Sequence, residues 1–366
     1  MPLSHFQPEH YSSLLSAKVA HLLPRFQTLN APVAEVFESP AQGFRLRAEF
    51  RVWHDGDDLS YVMFGGPDRK TPVAIHHFAI AAPQIADTMP TILSSIKDSP
   101  ALRQKLFQIE FLTTLQEDLL VTLIYHRPLD SAWQESAEGL AEALGINIVG
   151  RSRKEKRVIG RDWVHETLEI DGRHYHYKQP EQCFSQPNGE VNQKMITWAL
   201  NCAHNCGGDL LELYCGVGNF TLPLAQAFDC VIATELSKPA TAAAIENLSK
   251  NQINNVEFAR LSAEEMSTAL SGDRPFRRLA KLHKPLQDYR LTTLLVDPPR
   301  AGLDDQTRTM AQGFDNVIYV SCNPETLLRD LETLCQSHEI EKLAFFDQFP
   351  YTHHMESGVF LRRKST

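Results

Sequence analysis

The chain has 366 residues, 43% of them apolar and 22% charged, which supplies a core and exceeds the roughly 100–200 residues of a common single domain. Its longest apolar run, 119–125, is far short of the ~20 residues that cross a bilayer, and the opening MPLSHFQPEHYSS has neither a basic nor an apolar leader region. These features exclude a helical membrane protein and make a cytoplasmic, two-domain chain of net charge −9 the expectation.

In chain order, an amphipathic pattern predicts a helix over 9–26. Segment 44–64, FRLRAEFRVWHDGDDLSYVMF, alternates around a DGDD turn and predicts a hairpin with Arg45, Arg47, Phe50 and Arg51 on its first strand. A helix over 82–97 follows, then a second hairpin (LFQIEFLTTL and LLVTLIYH), a helix over 131–144 and a short strand, INIVGR. This order predicts a small α+β layer. Beyond residue 186 the rhythm becomes strand, turn, helix: DLLELYCG, CVIATELS, VEFARLSA, TTLLVDPP and NVIYVSCN, closed by an antiparallel pair, IEKLAFFDQF and GVFLRR. Such βα alternation predicts a doubly wound, mostly parallel α/β sheet. The expected domains are an α+β domain over 1–180 and a Rossmann-like domain over 181–366.

Neither half is basic: 19 cations face 22 acids up to residue 180, and 17 face 23 beyond it. Nucleic-acid contact would therefore rest on local charge. Two runs qualify, 151–161 (RSRKEKRVIGR) and 274–290 (RPFRRLAKLHKPLQDYR), each with six cations and one acid. For either alone, a solvated face is an equally good reading.

Ligands of doubly wound sheets bind beyond the carboxyl ends of the strands. The first such end, ELYCGVGNF, has Gly216 and Gly218 for a tight turn and close backbone approach. The second ends at Glu235, placed to accept both hydroxyls of a ribose. A dinucleotide site wants a third glycine at the helix start, where Asn219-Phe220-Thr221 stand instead. The pattern favours an adenosine ligand without pyrophosphate, S-adenosylmethionine, over NAD. The next end, VDPPR, fixes a rigid loop and presents Asp297 at the crevice mouth; Arg300 stands where exocyclic-amine methyltransferases carry a stacking aromatic. At YVSCNP, Cys322 lies directly before a helix whose N-terminus is expected to lower its pKa, although a strand-end cysteine is commonly a small buried hydrophobe. In FDQFPYTHHMES, Glu356 is expected to be partly buried with a raised pKa. Adjacent His353 and His354 are expected to point to opposite sides and not share a metal. Seven cysteines in a reducing compartment predict no disulfides, and Cys202-x3-Cys206 lacks partners for an iron–sulfur site.

The motifs FSQPN, ELYCGVGNF, ATE, VDPPR, YVSCNP and FPYTHHMES, in this order, resemble the S-adenosylmethionine-dependent RNA uracil-5-methyltransferases, most closely their bacterial tRNA branch. RAEFRVWHDGDDL and LRQKLFQIEFLTTL extend the resemblance over nearly the whole chain. The ribosomal-RNA branch usually adds an N-terminal oligonucleotide-binding barrel and a four-cysteine iron–sulfur site, and this chain has neither. The resemblance implies methylation of uridine 54 in the tRNA T-loop, with T-loop-like RNA such as tmRNA as a second substrate. It implies Cys322 as nucleophile, Glu356 as general base, and cofactor contacts from Gln186, Tyr214, Asn219, Glu235 and Asp297. It carries no metal or iron–sulfur cluster, and a monomer binding the tRNA T-arm is expected. Arg51 and Phe107 are the candidates for RNA contact in the N-terminal domain, by phosphate contact and stacking. The competing readings are an NAD-dependent oxidoreductase, for which Cys322 and Glu356 have no use, and an inactive RNA-binding module, against which the same two residues speak.

Overall fold

The computed structural model describes residues 6–65 and 71–365; Met1 to His5, within the opening segment read above for a leader, lie outside them. The helices and strands run α1 (Tyr11–Gln27), β1 (Glu35–Phe37), β2 (Arg47–Asp55), β3 (Asp58–Gly65), β4 (Thr71–Ala74), α2 (Pro83–Asp98), α3 (Pro100–Arg103), β5 (Leu106–Leu112), β6 (Leu120–Tyr125), α4 (Ser131–Leu144), β7 (Asn147–Ser152), β8 (Glu155–Ile159), β9 (Trp163–Ile170) and β10 (Arg173–Pro180). They continue with α5 (Gly189–Ala203), β11 (Asp209–Leu213), α6 (Thr221–Leu224), β12 (Val231–Thr234), α7 (Lys238–Lys250), β13 (Val256–Ala259), α8 (Ala263–Leu270), β14 (Leu291–Val296), α9 (Asp305–Ala311), β15 (Asn316–Ser321), α10 (Pro324–Leu334), β16 (His338–Phe346) and β17 (Glu356–Arg363). Among the described residues no helix is long and apolar enough to cross a membrane.

The chain divides into two compact units. One holds Pro40–Thr167 and Lys178–Gly189, the other Glu9–Ser39, Leu168–Tyr177 and Glu190–Thr366. In place of the single boundary expected at 180/181, the chain thus crosses between units several times. The N-terminal crossing comes from β1, which pairs in parallel with β16, and from α1, whose Phe26 packs edge-on against Phe345 at 5.5 Å; two others fall within β9 and β10.

The first unit is built on a seven-stranded sheet of order β4-β3-β2-β5-β6-β7-β8. Its predicted hairpins pair as read, and β6 and β7 are parallel because α4 crosses between them. Asp130 starts α4 by accepting the Trp133 N–H at 2.8 Å, and Gly145, at φ +64°, ends it. Phe50, Tyr61, Phe78 and Phe111 form the aromatic core on one face, with Phe50 at 5.1–6.2 Å from the other three rings. The alternation of β2 leaves Arg47, Glu49, Arg51 and Trp53 on the opposite face.

The second unit is built on an eight-stranded sheet of order β1-β16-β17-β15-β14-β11-β12-β13. Strands β11 to β15 run parallel, and β17 is antiparallel to both β15 and β16. Every residue of β11, β12 and β15 is buried, as expected for strands covered on both faces.

Candidate active site

The site can be built from strand registers. Leu213 is level with Thr234 on one side and Val296 on the other, Val296 with Tyr319, and Ser321 with Ser357. With neighbouring strands about 4.8 Å apart, the residues just beyond these ends form a row: Glu235, Tyr214, Asp297, then Cys322 beside Glu356. Glu356 joins it because β17 is antiparallel, so that the strand's first residue lies at the carboxyl ends of the others.

At one end of the row is a cavity of about 810 Å³ whose lining includes Tyr214, Glu235, Leu236, Ser262, Asp304 and Arg308, within the range of small-ligand pockets. The turn entering it is unusual: Tyr214, Gly216 and Gly218 have φ of +62°, +56° and +90°, a conformation strained for tyrosine. The Glu235 carboxylate ties the turn down, accepting N–H bonds from Gly216 at 3.1 Å and Ser237 at 2.7 Å. Behind it, Glu212 is buried within β11 and its carboxyl is pushed up to about 8 by burial, with a Thr221 hydrogen bond opposing.

At the other end, burial pushes the Cys322 thiol up to about 11, with the nearby carboxyls of Glu356 and Asp297 adding to the effect. This reverses the expectation of a lowered pKa: α10 does begin at Pro324, but desolvation and two acids outweigh its dipole and the counteracting charge of Arg300. Burial, then Asp297, holds the Glu356 carboxyl well above the usual range, against the charge of Arg300. Its Oε2 has no hydrogen-bond partner. Burial pushes Asp297, which is only partly accessible to solvent, up to about 7.

Two loops carry these groups. The 297–304 loop is fastened to α10: Asn323 Nδ2 donates to the Arg300 carbonyl at 3.0 Å, and Leu303 N–H donates to Asp330 at 2.8 Å. Asp330 is fully buried and also receives Tyr319 Oη at 2.7 Å and Arg308 at 3.0 Å. The loop before Glu356 is held from α1, where Lys18 Nζ donates to Asp347 at 2.5 Å, to the Phe349 carbonyl at 3.1 Å and to the His354 carbonyl at 2.8 Å. In that loop the rings of His353 and His354 lie 4.1 Å apart. They do not splay as an extended chain would require, because the segment turns there.

Of the expected cofactor residues, Tyr214 and Glu235 line the cavity and Asp297 stands in the row. Asn219 is not among the lining residues: its side chain exchanges two 2.9 Å hydrogen bonds with Asn192. Gln186 belongs to the other unit, buried with its side-chain oxygen unpartnered. Arg51 and Phe107 meet across β2 and β5, the guanidinium carbon 3.7 Å from the ring centroid, and the His126 ring stacks on Phe107 at 4.1 Å. Sequence reading missed His126, which no motif marks, and Glu212, whose signal is an acid inside the apolar strand DLLEL. All seven cysteines are free thiols.

The residues present fit an adenosine ligand bearing a reactive group: a glycine turn, a strand-end carboxylate and a cavity of the right size stand at one end of a row whose other end holds an unpartnered buried carboxyl and a thiol. Among solved structures, the Pyrococcus abyssi tRNA (uracil-54, C5)-methyltransferase in complex with S-adenosyl-L-homocysteine has a similar fold. It superposes with a TM-score of 0.74 at 20% identity, over 96% of this chain and 83% of that one. A Vibrio parahaemolyticus tRNA/tmRNA (uracil-C(5))-methyltransferase is 49% identical over 98% of both chains. An Acinetobacter baylyi protein of the same name is 50% identical over 96% of this chain and 98% of its own. The family profile described as tRNA (Uracil-5-)-methyltransferase matches residues 10–364, and the chain belongs to that family.

Proposed function

We propose that the chain methylates C5 of uridine 54 in the T-loop of tRNA, and of the matching uridine in T-loop-like RNA such as tmRNA, through a covalent adduct with Cys322. At the coarser level it is an S-adenosylmethionine-dependent RNA uracil-C5 methyltransferase. The cofactor supplies a methyl group on a cationic sulfonium.

The observation that carries the finer reading is the adjacency of Cys322, Asp297 and Glu356. Uracil C5 is a weak nucleophile. The Cys322 thiol, held protonated by burial, gives up its proton to solvent as the thiolate forms a bond to C6, and the electron pair of the C5–C6 double bond moves onto C5 and O4 as an enolate. C5 then takes the methyl group. The Glu356 carboxylate removes the remaining C5 proton, the C5–C6 double bond re-forms and the sulfur leaves as thiolate. Burial makes Glu356 a stronger base than an exposed carboxylate, which suits this step. Asp297, next to both groups, orients cofactor and base. Tyr214 and Glu235 hold the adenosine. A T-loop base must leave its stack to reach Cys322, at a cost of a few kcal/mol. In the first unit, Arg51 contacts phosphate, and Phe107 stacks on a base that takes the place of Arg51 or His126 against its ring.

The test uses Glu356→Gln, which keeps shape and hydrogen bonding but removes basicity. With methyl-labelled cofactor and unmodified tRNA it is expected to methylate once and stall, giving a slow band on a denaturing gel that carries the methyl label. Cys322→Ala gives no such band. Normal turnover by Glu356→Gln, or an adduct that survives Cys322→Ala, rules out these assignments.

A further inference from the structure

The basic run 274–290 is not used by the chemistry above, and its structure differs from that of its counterpart at 151–161. In the latter, Arg151 and Lys156 pair with Glu181, Arg157 with Glu155, and Arg161 with Asp118. Most of that run's charge is neutralised within its own unit.

Residues 271–290 form a strap between α8 and β14 that runs alongside β13, the strand at one end of the eight-stranded order. Near the carboxyl end of β13, Arg278 donates to Glu265 at 2.8 Å and to the Arg260 carbonyl. Midway, the His283 N–H donates to Glu257 at 2.8 Å, and toward the amino ends the Arg290 N–H donates to Asp209 at 2.7 Å. Phe276, Leu279, Leu282 and Leu286 are half-buried and Tyr289 is buried, whereas Arg274, Arg277, Arg278, Lys281 and Lys284 are exposed. The spacing of three to four residues thus gives the strap an apolar inner side and a cationic outer side. Covering a sheet edge requires only the inner side and the ties.

Arg277 and Lys281 have no carboxylate partner among the described residues, and Arg274 contacts only the ring of Phe276, at 5.3 Å. Like charges this close repel one another, and they persist here in a chain whose net charge is −9. Arg260, also exposed, directly precedes Leu261 and Ser262, which line the cofactor cavity. The cationic turn therefore begins at the crevice end of the sheet, where an RNA substrate must arrive.

We propose that Arg260, Arg274, Arg277 and Lys281 form a second RNA contact on the catalytic unit, a phosphate-binding strap that acts independently of Arg51 and Phe107. The proposal rests on the tRNA reading above. A polyanion is favoured over an acidic protein because the family's substrate is RNA and the patch adjoins the crevice that receives it.

The test is Arg277→Ala/Lys281→Ala, two exposed changes outside the catalytic machinery, assayed by filter binding of unmodified tRNA from low to moderate salt. Each phosphate contact contributes about 0.7–0.9 to the slope of log affinity against log salt, so the slope is expected to fall by about 1–2. Affinity at low salt is expected to fall roughly 5–20-fold, with KM for tRNA rising in step. S-adenosylmethionine binding, thermal midpoint and kcat at saturating tRNA are expected to be unchanged. Unaltered tRNA affinity and slope overturn the proposal, whether the cations then serve an acidic protein or only solvation. Weaker binding with an unaltered slope overturns it as well. Failure of the unmutated chain to bind or methylate tRNA would instead overturn the functional reading beneath it.

Discussion

Asp297 should make cofactor affinity depend on pH, with a sign and size that follow from its surroundings. Burial raises its carboxyl to about 7, so it is mostly neutral at pH 6 and mostly charged at pH 8. A ligand with a fixed positive charge at sulfur favours the charged form. Affinity is then present above the raised pKa and lost as pH falls through it. For one such group the apparent dissociation constant scales as one plus the ratio of neutral to charged carboxyl. Between pH 8 and pH 6 that factor grows about tenfold, or about 1.4 kcal/mol. Glu212, with its carboxyl at about 8, titrates in the same direction and extends the slope upward. S-adenosylhomocysteine, whose sulfur is neutral, should show a much shallower slope, and Asp297→Asn should flatten the slope for S-adenosylmethionine while weakening its binding. Isothermal calorimetry at constant ionic strength, at half-unit steps from pH 6 to 8, measures all three. A flat profile for the sulfonium ligand, or equal slopes for both ligands, would refute the electrostatic role given to Asp297.

In the first unit, Glu166 is buried and its carboxyl is pushed up to about 8, against hydrogen bonds from the N–H groups of Leu115 at 3.1 Å and Thr167 at 3.0 Å. The folded state therefore holds a proton that the unfolded chain releases near its ordinary pKa, so stability falls as pH rises from about 4.5 to 8; Glu166→Gln should lessen that fall in thermal denaturation, and parallel profiles for the two proteins would contradict it. Phe107→Ala should cost about 1–3 kcal/mol of tRNA affinity with little change in salt slope, as loss of stacking does, while Arg51→Ala should lower the slope by about 0.7–0.9; the reverse pattern in filter binding would exchange their roles.

Much of the fold was legible because its signals are local. The helix expected at 82–97 is Pro83–Asp98, started by a proline at its first turn, and that at 131–144 is Ser131–Leu144, bounded by Asp130 and Gly145. The hairpin of β9 and β10 went unread despite the alternation in WVHETLEI, because the neighbouring charge run dominates the pattern. Tyr214, Glu235, Asp297 and Cys322 were visible at strand ends and Glu356 as an acid between two strands, but the row they form depends on strand order, which no short window contains. The contact of Arg51 with Phe107 likewise depends on β2 pairing with β5, whose Gln108 is level with Arg51. The direction of the Cys322 shift differs from the local expectation for the same reason: the helix after it is local, whereas its burial, and then the carboxyls of Glu356 and Asp297, come from the assembled sheet.

The pairing of β1 with β16, Glu35 level with Ala344 and Phe37 with Phe346, bears on how the molecule is made. Synthesis proceeds from the N-terminus, so β1 leaves the ribosome some 300 residues before the strand that it joins, and α1 is completed long before the loop that Lys18 fastens. Such non-local pairing is slow to form, and the segment must stay unpaired while the entire first unit is translated and can fold. Glu356 follows β16 in the chain and begins the strand between β16 and β15, so the proposed general base is positioned last. The order of translation thereby keeps Cys322 without the carboxyl proposed to complete its reaction until the eight-stranded sheet is closed by segments from both halves of the chain.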